Sequence, residues 1–275
     1  MRLGCLLLLL SCGCPSGGGS NTPQPDPTVK DLVGKLAAQR DTMSSFRAKT
    51  TMDYWFNNQK IKGDVLVMGE KGAKVRINAL NPMGGTVLAD LACDGSKFYY
   101  INFQANCELT GPCSRDSIAQ LLNVALEPDD FLHLALGTPP VIAGDGKLTW
   151  DSSAGQEHGE VHGAEGVQTL AVDARDGHDD VVSSKLSDPG GKMVWQVDNK
   201  DFTDVTDAKG GKHRLPKKTR FQTSTQNGDL IIDWDEVEVN VDIPATKFQL
   251  PLQGLPACGR AAPSGAPPPQ PATTP

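Results

Sequence analysis

Five short runs rich in β-branched and aromatic residues follow one another between Phe46 and Phe103. The residues that separate them are Asn-Asn, Glu-Lys-Gly, Asn-Pro-Met-Gly-Gly and Asp-Gly, which are typical of tight turns. Runs of this length joined by such turns predict an antiparallel meander. The rest of the chain must be arranged around this meander.

The first run shows the alternation of a strand with one buried and one solvated face. Its even-numbered positions are mostly apolar and its odd-numbered positions are mostly polar or charged, as the two-residue period of a strand requires. The predicted inward residues are Phe46, Ala48, Thr50, Met52, Tyr54 and Phe56, and the outward residues are Arg47, Lys49, Thr51 and Asp53.

The second and fourth runs depart from this alternation. Residues 65–68 and 87–89 are apolar at every position. Such strands have both faces covered, or have one face that lines an apolar hollow.

The chain begins with the features of a secretory signal. Arg2 precedes an apolar run, Leu6–Leu10, that is too short to cross a bilayer. The sequence up to Cys12 resembles the bacterial lipobox, in which small or aliphatic residues precede a cysteine that receives diacylglycerol. We therefore expect residues 1–11 to be removed and Cys12 to carry acyl chains such as palmitate, which anchor the protein to a membrane. Cys14 is the competing acceptor, and a plain secreted protein with both cysteines free is the alternative.

A tether and a helix follow the modified cysteine. Residues 12–27 are rich in Gly, Ser and Pro and show no apolar periodicity, which predicts a flexible tether. Thr28 and Asp31 have the spacing of a variant capping box and predict the start of an amphipathic helix. The apolar stripe of that helix consists of Val29, Leu32, Val33, Leu36, Ala37 and Met43.

Two further helices and a second set of strands follow the meander. Ser114 fits the N-cap of one helix, while Pro128 fits the first turn of the next and Gly137 its end. The later strand-like runs are separated by hairpin sequences such as Asp-Gly and Pro-Gly-Gly. No second domain is indicated, so residues 28–251 are predicted to form one domain, and residues 252–275 a disordered Pro/Ala-rich tail.

Composition and motifs argue against several classes of function. The formal net charge of −7, without an extended basic face, argues against a nucleic-acid partner. There is no Gly-x-Ser-x-Gly elbow, phosphate loop or dinucleotide fingerprint, and we expect neither an enzyme nor a cofactor. His158, Glu160 and His162 would share one face of a strand, but a solvated strand edge explains them better than a metal site does.

The cysteines suit an oxidising compartment. Cys93, Cys107, Cys113 and Cys258 remain beyond the N-terminal segment, and their connectivity is not fixed by sequence. Cys107 and Cys113 flank a short loop, and a disulfide between them is the pairing we predict. A zinc site is disfavoured because no Cys-x-x-Cys pair occurs.

Three segments resemble those of a known superfamily. Arg76 within Val75-Arg76-Ile77, the Asn81–Gly84 turn and the segment Asp94–Tyr100 are similar to segments of the superfamily of the bacterial lipoprotein carrier LolA and the outer-membrane lipoprotein receptor LolB. The lipobox, the first helix, the meander and the helical insert fit the same resemblance. It implies a mainly β (α+β) fold: a single curved antiparallel sheet or incomplete barrel, closed by the N-terminal helix and the central helical insert. The loop-tip Met83, where the receptor usually has Leu, the cysteines and the longer tail are departures.

The resemblance also implies a role in handling lipid. We expect a non-enzymatic lipoprotein anchored in the outer membrane and facing the periplasm, whose apolar cavity binds lipid or the acyl chains of lipoproteins in lipoprotein localisation. Gly13, after the modified cysteine, favours export to that membrane. The predicted cavity lining consists of Leu32, Leu36, Val65, Val67, Arg76, Val87, Ala89 and Leu91, and Leu80 and Met83 form a predicted membrane-contact loop. The alternative is a structural or interaction subunit of an envelope assembly, in which the same residues fill a core, since core and cavity residues have the same chemistry.

Overall fold

The computed structural model describes residues 26–56, 59–81, 85–122, 127–224 and 228–258. The signal segment with Cys12, most of the tether, Met83 and the chain beyond residue 258 lie outside these ranges. What the sequence predicts for them stays a prediction.

The described residues contain three α-helices and thirteen strands. The helices are α1 (Val29–Asp41), α2 (Arg115–Leu122) and α3 (Pro128–Ala135). The strands before the helical insert are β1 (Ser45–Phe56), β2 (Gln59–Glu70), β3 (Lys74–Leu80), β4 (Val87–Asp94), β5 (Lys97–Asn102) and β6 (Cys107–Pro112). Those after it are β7 (Asp145–Asp151), β8 (Gln156–Gly163), β9 (Gly166–Asp173), β10 (Asp180–Ser187), β11 (Met193–Thr206), β12 (Lys212–Thr223) and β13 (Asp229–Val239).

All thirteen strands belong to one antiparallel sheet with the order β6-β5-β4-β3-β2-β1-β13-β12-β11-β10-β9-β8-β7. β1 lies in the middle and pairs with both β2 and β13, with Phe46 opposite Val239. The two edge strands, β6 and β7, are consecutive along the chain and do not pair with each other, so the curved sheet stays open. Helices α2 and α3, together called the insert, connect these edges. The predicted fold class is confirmed.

The strand alternation read from the first run is confirmed in β1. Phe46, Ala48 and Met52 are buried, whereas Arg47 and Lys49 are exposed. The face of the sheet that carries Phe46 is called the inner face, and the opposite one the outer face. The side chains of Tyr54 and Phe56 lie outside the described part.

The strand β4 is covered on both faces, as its apolar sequence predicts. On the inner face Ala89 and Leu91 are buried, and on the outer face Ala92 is buried beneath Leu250 of the C-terminal segment. In β2, by contrast, Leu66 on the outer face is 38% exposed. The prediction that both faces are covered is therefore right for β4 and wrong for β2. The C-terminal segment crosses the outer face of β4 but not that of β2.

The helix α1 begins where the capping box predicts. The hydroxyl of Thr28 accepts a 3.2 Å hydrogen bond from the backbone N–H of Asp31. The helix packs its buried residues Leu32 and Leu36 on the inner face of the later strands. Asp26, at the end of the predicted tether, forms a 3.0 Å ion pair with Lys35 of α1.

Two disulfides differ from the predicted one. Cys93 is bonded to Cys113, and Cys107 to Cys258. The predicted pairing of Cys107 with Cys113 is wrong because the residues between them form the extended strand β6, which holds the two cysteines about 20 Å apart at roughly 3.3 Å per residue.

The C-terminal segment is attached to the sheet as far as Cys258. The backbone N–H of Glu108 donates to Pro256, and that of Cys258 donates to Glu108, which extends the sheet by a short parallel bridge beside β6. The predicted start of the disordered tail at residue 252 therefore falls too early.

Candidate functional site

Four of the predicted cavity residues come together on the inner face. The strand register places Val65 and Val67 of β2 in line with Ala89 and Leu91 of β4, with β3 between them. All four are buried in one large apolar cluster. This cluster extends across the inner face as far as β11, and its members in the central strands include Phe46, Met52, Ile77, Phe98, Tyr100, Val197, Phe221, Leu230, Ile232 and Trp234.

The insert covers this apolar face. Ile118 of α2 and Phe131, Leu132 and Leu134 of α3 are buried in the same cluster. The sequence places these side chains inward because apolar residues three to four positions apart share one face of a helix. In this structure the side chains of the insert therefore occupy the space that the cavity hypothesis assigns to acyl chains.

Leu32 and Leu36 belong to a second apolar cluster. They pack against Val161 of β8 and against Leu170 and Val172 of β9. The prediction that these two leucines line one cavity with Val65 and Val67 is wrong. α1 lies over the far end of the sheet, near β7 and β8, whereas the insert packs on β1, β2, β3 and β12.

Arg76 and Val87 do not belong to the inner face. Arg76 lies between the inward residues Val75 and Ile77, so the period of two directs it outward. There it donates two hydrogen bonds to the Asp90 carboxylate, at 3.1 and 2.7 Å, and one to the backbone oxygen of Lys247 at 3.0 Å. Arg76 therefore fastens the C-terminal segment and does not line a cavity. Val87, at the start of β4, is exposed.

The insert is fastened to the sheet mainly at its ends. The disulfide from Cys113 to Cys93 holds the chain just before α2 against β4. At the start of α3, Asp129 Oδ1 accepts hydrogen bonds from the backbone N–H groups of Gly72 (3.1 Å) and Ala73 (2.6 Å) in the β2–β3 turn. After α3, Gly137 has a φ of +70°, and a Cβ there would lie 2.7 Å from Pro216 of β12.

His133 is a polar residue on the insert that is 7% exposed. Its ring Nδ1 is buried and has no hydrogen-bond partner among the described residues. Burial lowers the pKa of His133 to about 4, and the positive charges of Arg40 and Lys71 act in the same direction. A buried polar ring without a partner is a weak point in an otherwise apolar interface.

Two polar clefts lie away from the apolar face. One, of about 280 Å³, is lined by residues of α1, of the β9–β10 connection and of the start of β12, among them Lys35, His178 and His213. The other, of about 790 Å³, is lined chiefly by residues of β10 to β13. Both include Asp180 and Arg214, and neither is lined by any of the predicted cavity residues.

The remaining predicted features are the membrane-contact loop and the strand with His162 and Glu160. Leu80 is half-buried at the base of the predicted membrane-contact loop, whose ends are joined by a 2.8 Å hydrogen bond from the backbone N–H of Asn81 to Thr86. His162 and Glu160 are exposed and bonded to each other at 2.6 Å. No group of three potential metal ligands occurs within the described ranges.

Sequence reasoning missed the contacts of three residues. Asp129 is an ordinary acidic residue in the first turn of a helix, and nothing in the sequence links it to the β2–β3 turn. His133 and Asp180 stand out only because they are buried. The strands that bury them are distant along the chain. An apolar helix face interrupted by a histidine is the only signal that could have drawn attention to His133.

No protein-family model and no curated protein sequence matches the chain. Solved structures do match its fold. A LolA superfamily protein from Nitrosomonas europaea aligns with a TM-score of 0.52 at 10% identity, covering 82% of this chain and 99% of that one. A DUF1329 family protein from Desulfovibrio piger aligns with a TM-score of 0.53 at 13% identity, covering 82% of this chain and 98% of that one. The chain has a LolA-like fold, as the sequence resemblance implies.

None of the helices in the described ranges is long and apolar enough to span a bilayer.

Proposed function

We propose that this protein is a non-enzymatic lipid-binding lipoprotein of the bacterial outer membrane, which holds acyl chains between the inner face of its sheet and the insert. The observation that carries the proposal is the extent of the apolar face, which is covered by two short helices in place of a second sheet. The LolA-like fold supports the same assignment, together with the lipobox resemblance at Cys12. In this proposal the insert moves aside and the acyl chain takes the place of its side chains.

The construction of the insert supports such a movement. α2 and α3 have eight residues each, so each is about 12 Å long and would be marginal as an isolated helix. Their position depends on Ile118, Phe131, Leu132 and Leu134, because few polar contacts hold the described residues of the two helices. An acyl chain offers the inner face the same apolar contacts that these side chains provide, so exchange of one for the other leaves the apolar surface covered.

The second candidate is an interaction subunit with a permanently filled core. The full burial of Phe131 and Leu132 in the inner face favours it. In that case the insert is part of the core and never admits a ligand. The two candidates differ in whether the insert opens, and this difference can be measured.

A cross-link across the Asp129–Ala73 contact provides the test. The double variant Ala73→Cys/Asp129→Cys joins α3 to the β2–β3 turn when its new cysteines are oxidised, and the two single variants with alkylated cysteines are the matched controls. Binding of a fluorescent fatty acid is measured for each. We expect binding by both single variants and its loss in the cross-linked protein. Absence of binding in all three, together with the absence of lipid in native mass spectra of protein purified from membranes, would favour the interaction subunit.

A further inference from the structure

The larger polar cleft lies on the opposite side of the sheet from the apolar site. It is lined by residues that face outward in the strand register: Asp198 and Lys200 of β11, Lys218 and Arg220 of β12, and Ile231 of β13. We call it the outer cleft. Its volume of about 790 Å³ falls within the range of about 300–1,000 Å³ that is typical of ligand sites.

The charges along the outer cleft nearly balance. Its basic residues are Arg175, Lys200, Arg214, Lys218 and Arg220, and its acidic residues are Asp173, Asp180, Asp198 and Asp201. Most of the basic residues are engaged by a carboxylate: Arg214 with Asp180 at 2.7 Å, Arg220 with Asp229 at 2.8 Å and Lys218 with Asp233 at 3.0 Å. The wall of the cleft therefore presents both hydrogen-bond donors and acceptors, and neither positive nor negative charge clearly predominates.

Asp180 lines the outer cleft as well as the smaller one, and one of its carboxylate oxygens lacks a partner among the described residues. The residue is 5% exposed, and its Oδ2 accepts the bond from Arg214. Its other oxygen, Oδ1, is buried without a hydrogen-bond partner among the described residues. A carboxylate oxygen in this position requires a donor, because a buried acceptor without one is costly. Burial also raises the pKa of Asp180, against the effect of Arg214.

We propose that the outer cleft binds a saccharide. A sugar presents many hydroxyl groups that both donate and accept, carries little charge, and can supply a donor to Asp180 while accepting from Lys200 and the arginines. A nucleic acid or another polyanion would require a clear excess of positive charge, which this cleft lacks. An acyl chain would require an apolar wall.

Among the described residues, no member of the apolar cluster lines the outer cleft, so the saccharide site is separate from the proposed lipid site. In an envelope protein the saccharide can come from peptidoglycan or from lipopolysaccharide. The chemistry of recognition is shared by both sources, and two soluble probes distinguish them. They are tetra-N-acetylchitotetraose and the delipidated core oligosaccharide of lipopolysaccharide.

To test the proposal, the full-length Cys12→Ser protein is titrated with each probe. Binding is measured by calorimetry and by the NMR signals of the backbone amides. We expect at least one probe to bind at millimolar concentration or below and to shift the amides of residues 198–202 and 214–220. Asp180→Asn and Lys200→Ala should each weaken that binding roughly tenfold. Arg47→Ala, which removes an exposed ion pair with Glu238 on the same face but outside the cleft, is the matched control and should leave it unchanged.

The proposal is overturned if neither probe binds, or if one binds with equal affinity to the parent, Asp180→Asn and Lys200→Ala proteins. Should Asp180→Asn fail to fold, the exposed Lys200→Ala decides the matter alone. Binding of the fluorescent fatty acid is measured in parallel and should be the same in all of these variants. Loss of one activity without the other therefore separates the two proposals.

Discussion

The carboxylate of Asp129, at the start of α3, accepts a 2.6 Å hydrogen bond from the backbone N–H of Ala73 in the β2–β3 turn. The same oxygen accepts a second bond from Gly72. These bonds connect the insert to the part of the sheet that it covers. Breaking them should loosen the insert without touching the apolar face.

Asp129→Ala should therefore increase access to the inner face. Two bonds to a partly solvated carboxylate are worth roughly 1–2 kcal/mol, so the free energy of unfolding should fall by that amount while the protein stays folded. Hydrogen exchange of α3 amides and the rate of fatty-acid binding should both rise. Glu165→Ala, an exposed carboxylate in the β8–β9 turn, is the control. Slower or unchanged binding by Asp129→Ala would contradict the opening of the insert.

His133 should make the protein sensitive to mild acid. The pKa of His133 in the folded state is lowered from 6.5 to about 4, chiefly by burial and also by Arg40 and Lys71, while Asp129 and Asp41 oppose this. Between these pH values the unfolded chain binds a proton that the folded protein does not, so stability falls as the pH drops from 6.5 toward 4. The total loss is at most about 3 kcal/mol.

Urea unfolding of the parent protein and of His133→Gln, from pH 7 to pH 4.5, measures this contribution. Carboxylates titrate in both proteins, so the difference between the two curves isolates the histidine. The stability of the parent should decline relative to His133→Gln as the pH falls through 6.5. Parallel curves would mean that His133 is protonated equally easily in the folded and unfolded states.

Removal of the Cys107–Cys258 disulfide should lower the free energy of unfolding by more than a Cys107–Cys113 disulfide could have contributed, because it closes a much longer loop. The two cysteines are 151 positions apart, for which loop-closure entropy gives an upper value of about 5 kcal/mol, against about 3 kcal/mol for the 20 positions between Cys93 and Cys113. Cys107→Ala/Cys258→Ala is compared with the parent by urea unfolding. Peptide mapping without reduction checks the pairing, and a peptide that links Cys107 to Cys113 would refute it.

Cys12 should carry the lipid anchor. Its position at the end of the apolar run matches the lipobox, so Cys12→Ser should release the protein into the soluble periplasmic fraction. Cys14→Ser is the matched control and should stay in the outer-membrane fraction. Release by Cys14→Ser in place of Cys12→Ser would identify the other cysteine as the acceptor.

Met83 should contact the membrane during delivery of a ligand. Burial of one Met side chain in an acyl layer is worth about 1.5–3 kcal/mol, enough to guide transfer but too little to anchor a domain. Met83→Glu should then abolish lipid delivery to vesicles while leaving the melting temperature unchanged. A clearly lowered melting temperature would show that Met83 packs against the domain.

The sequence predicts the fold better than the site. Alternation in β1, the cap at Thr28 and the Pro128 and Gly137 signals depend on neighbouring residues only, and the structure bears each of them out. Such signals are local, so they do not depend on how distant parts of the chain pack. The positions of strands and helices could be inferred for this reason.

The composition of the site depends on contacts between distant segments. Nothing in the helix containing Leu36 reveals which half of the sheet it will cover, and it covers the later one. Arg76 could have been placed outward by the period of two, but the resemblance to a family assigned it to the cavity. The disulfide partner of Cys107 lies in a segment that its composition marks as a tail, so its attachment to β6 is not visible from sequence.

The central position of β1 has a consequence for how the chain acquires its fold. The six strands of the first meander can pair as the chain emerges, and so can the strands from β7 onward, because each neighbours the next in sequence. The pairing of β1 with β13 must wait until almost the whole chain has emerged, since Phe46 finds Val239 only then. Long-range pairing of this kind slows folding, so until the last strand arrives β1 presents a bare edge in the middle of the future sheet. A chaperone that shields this edge would act on the protein at its most aggregation-prone moment.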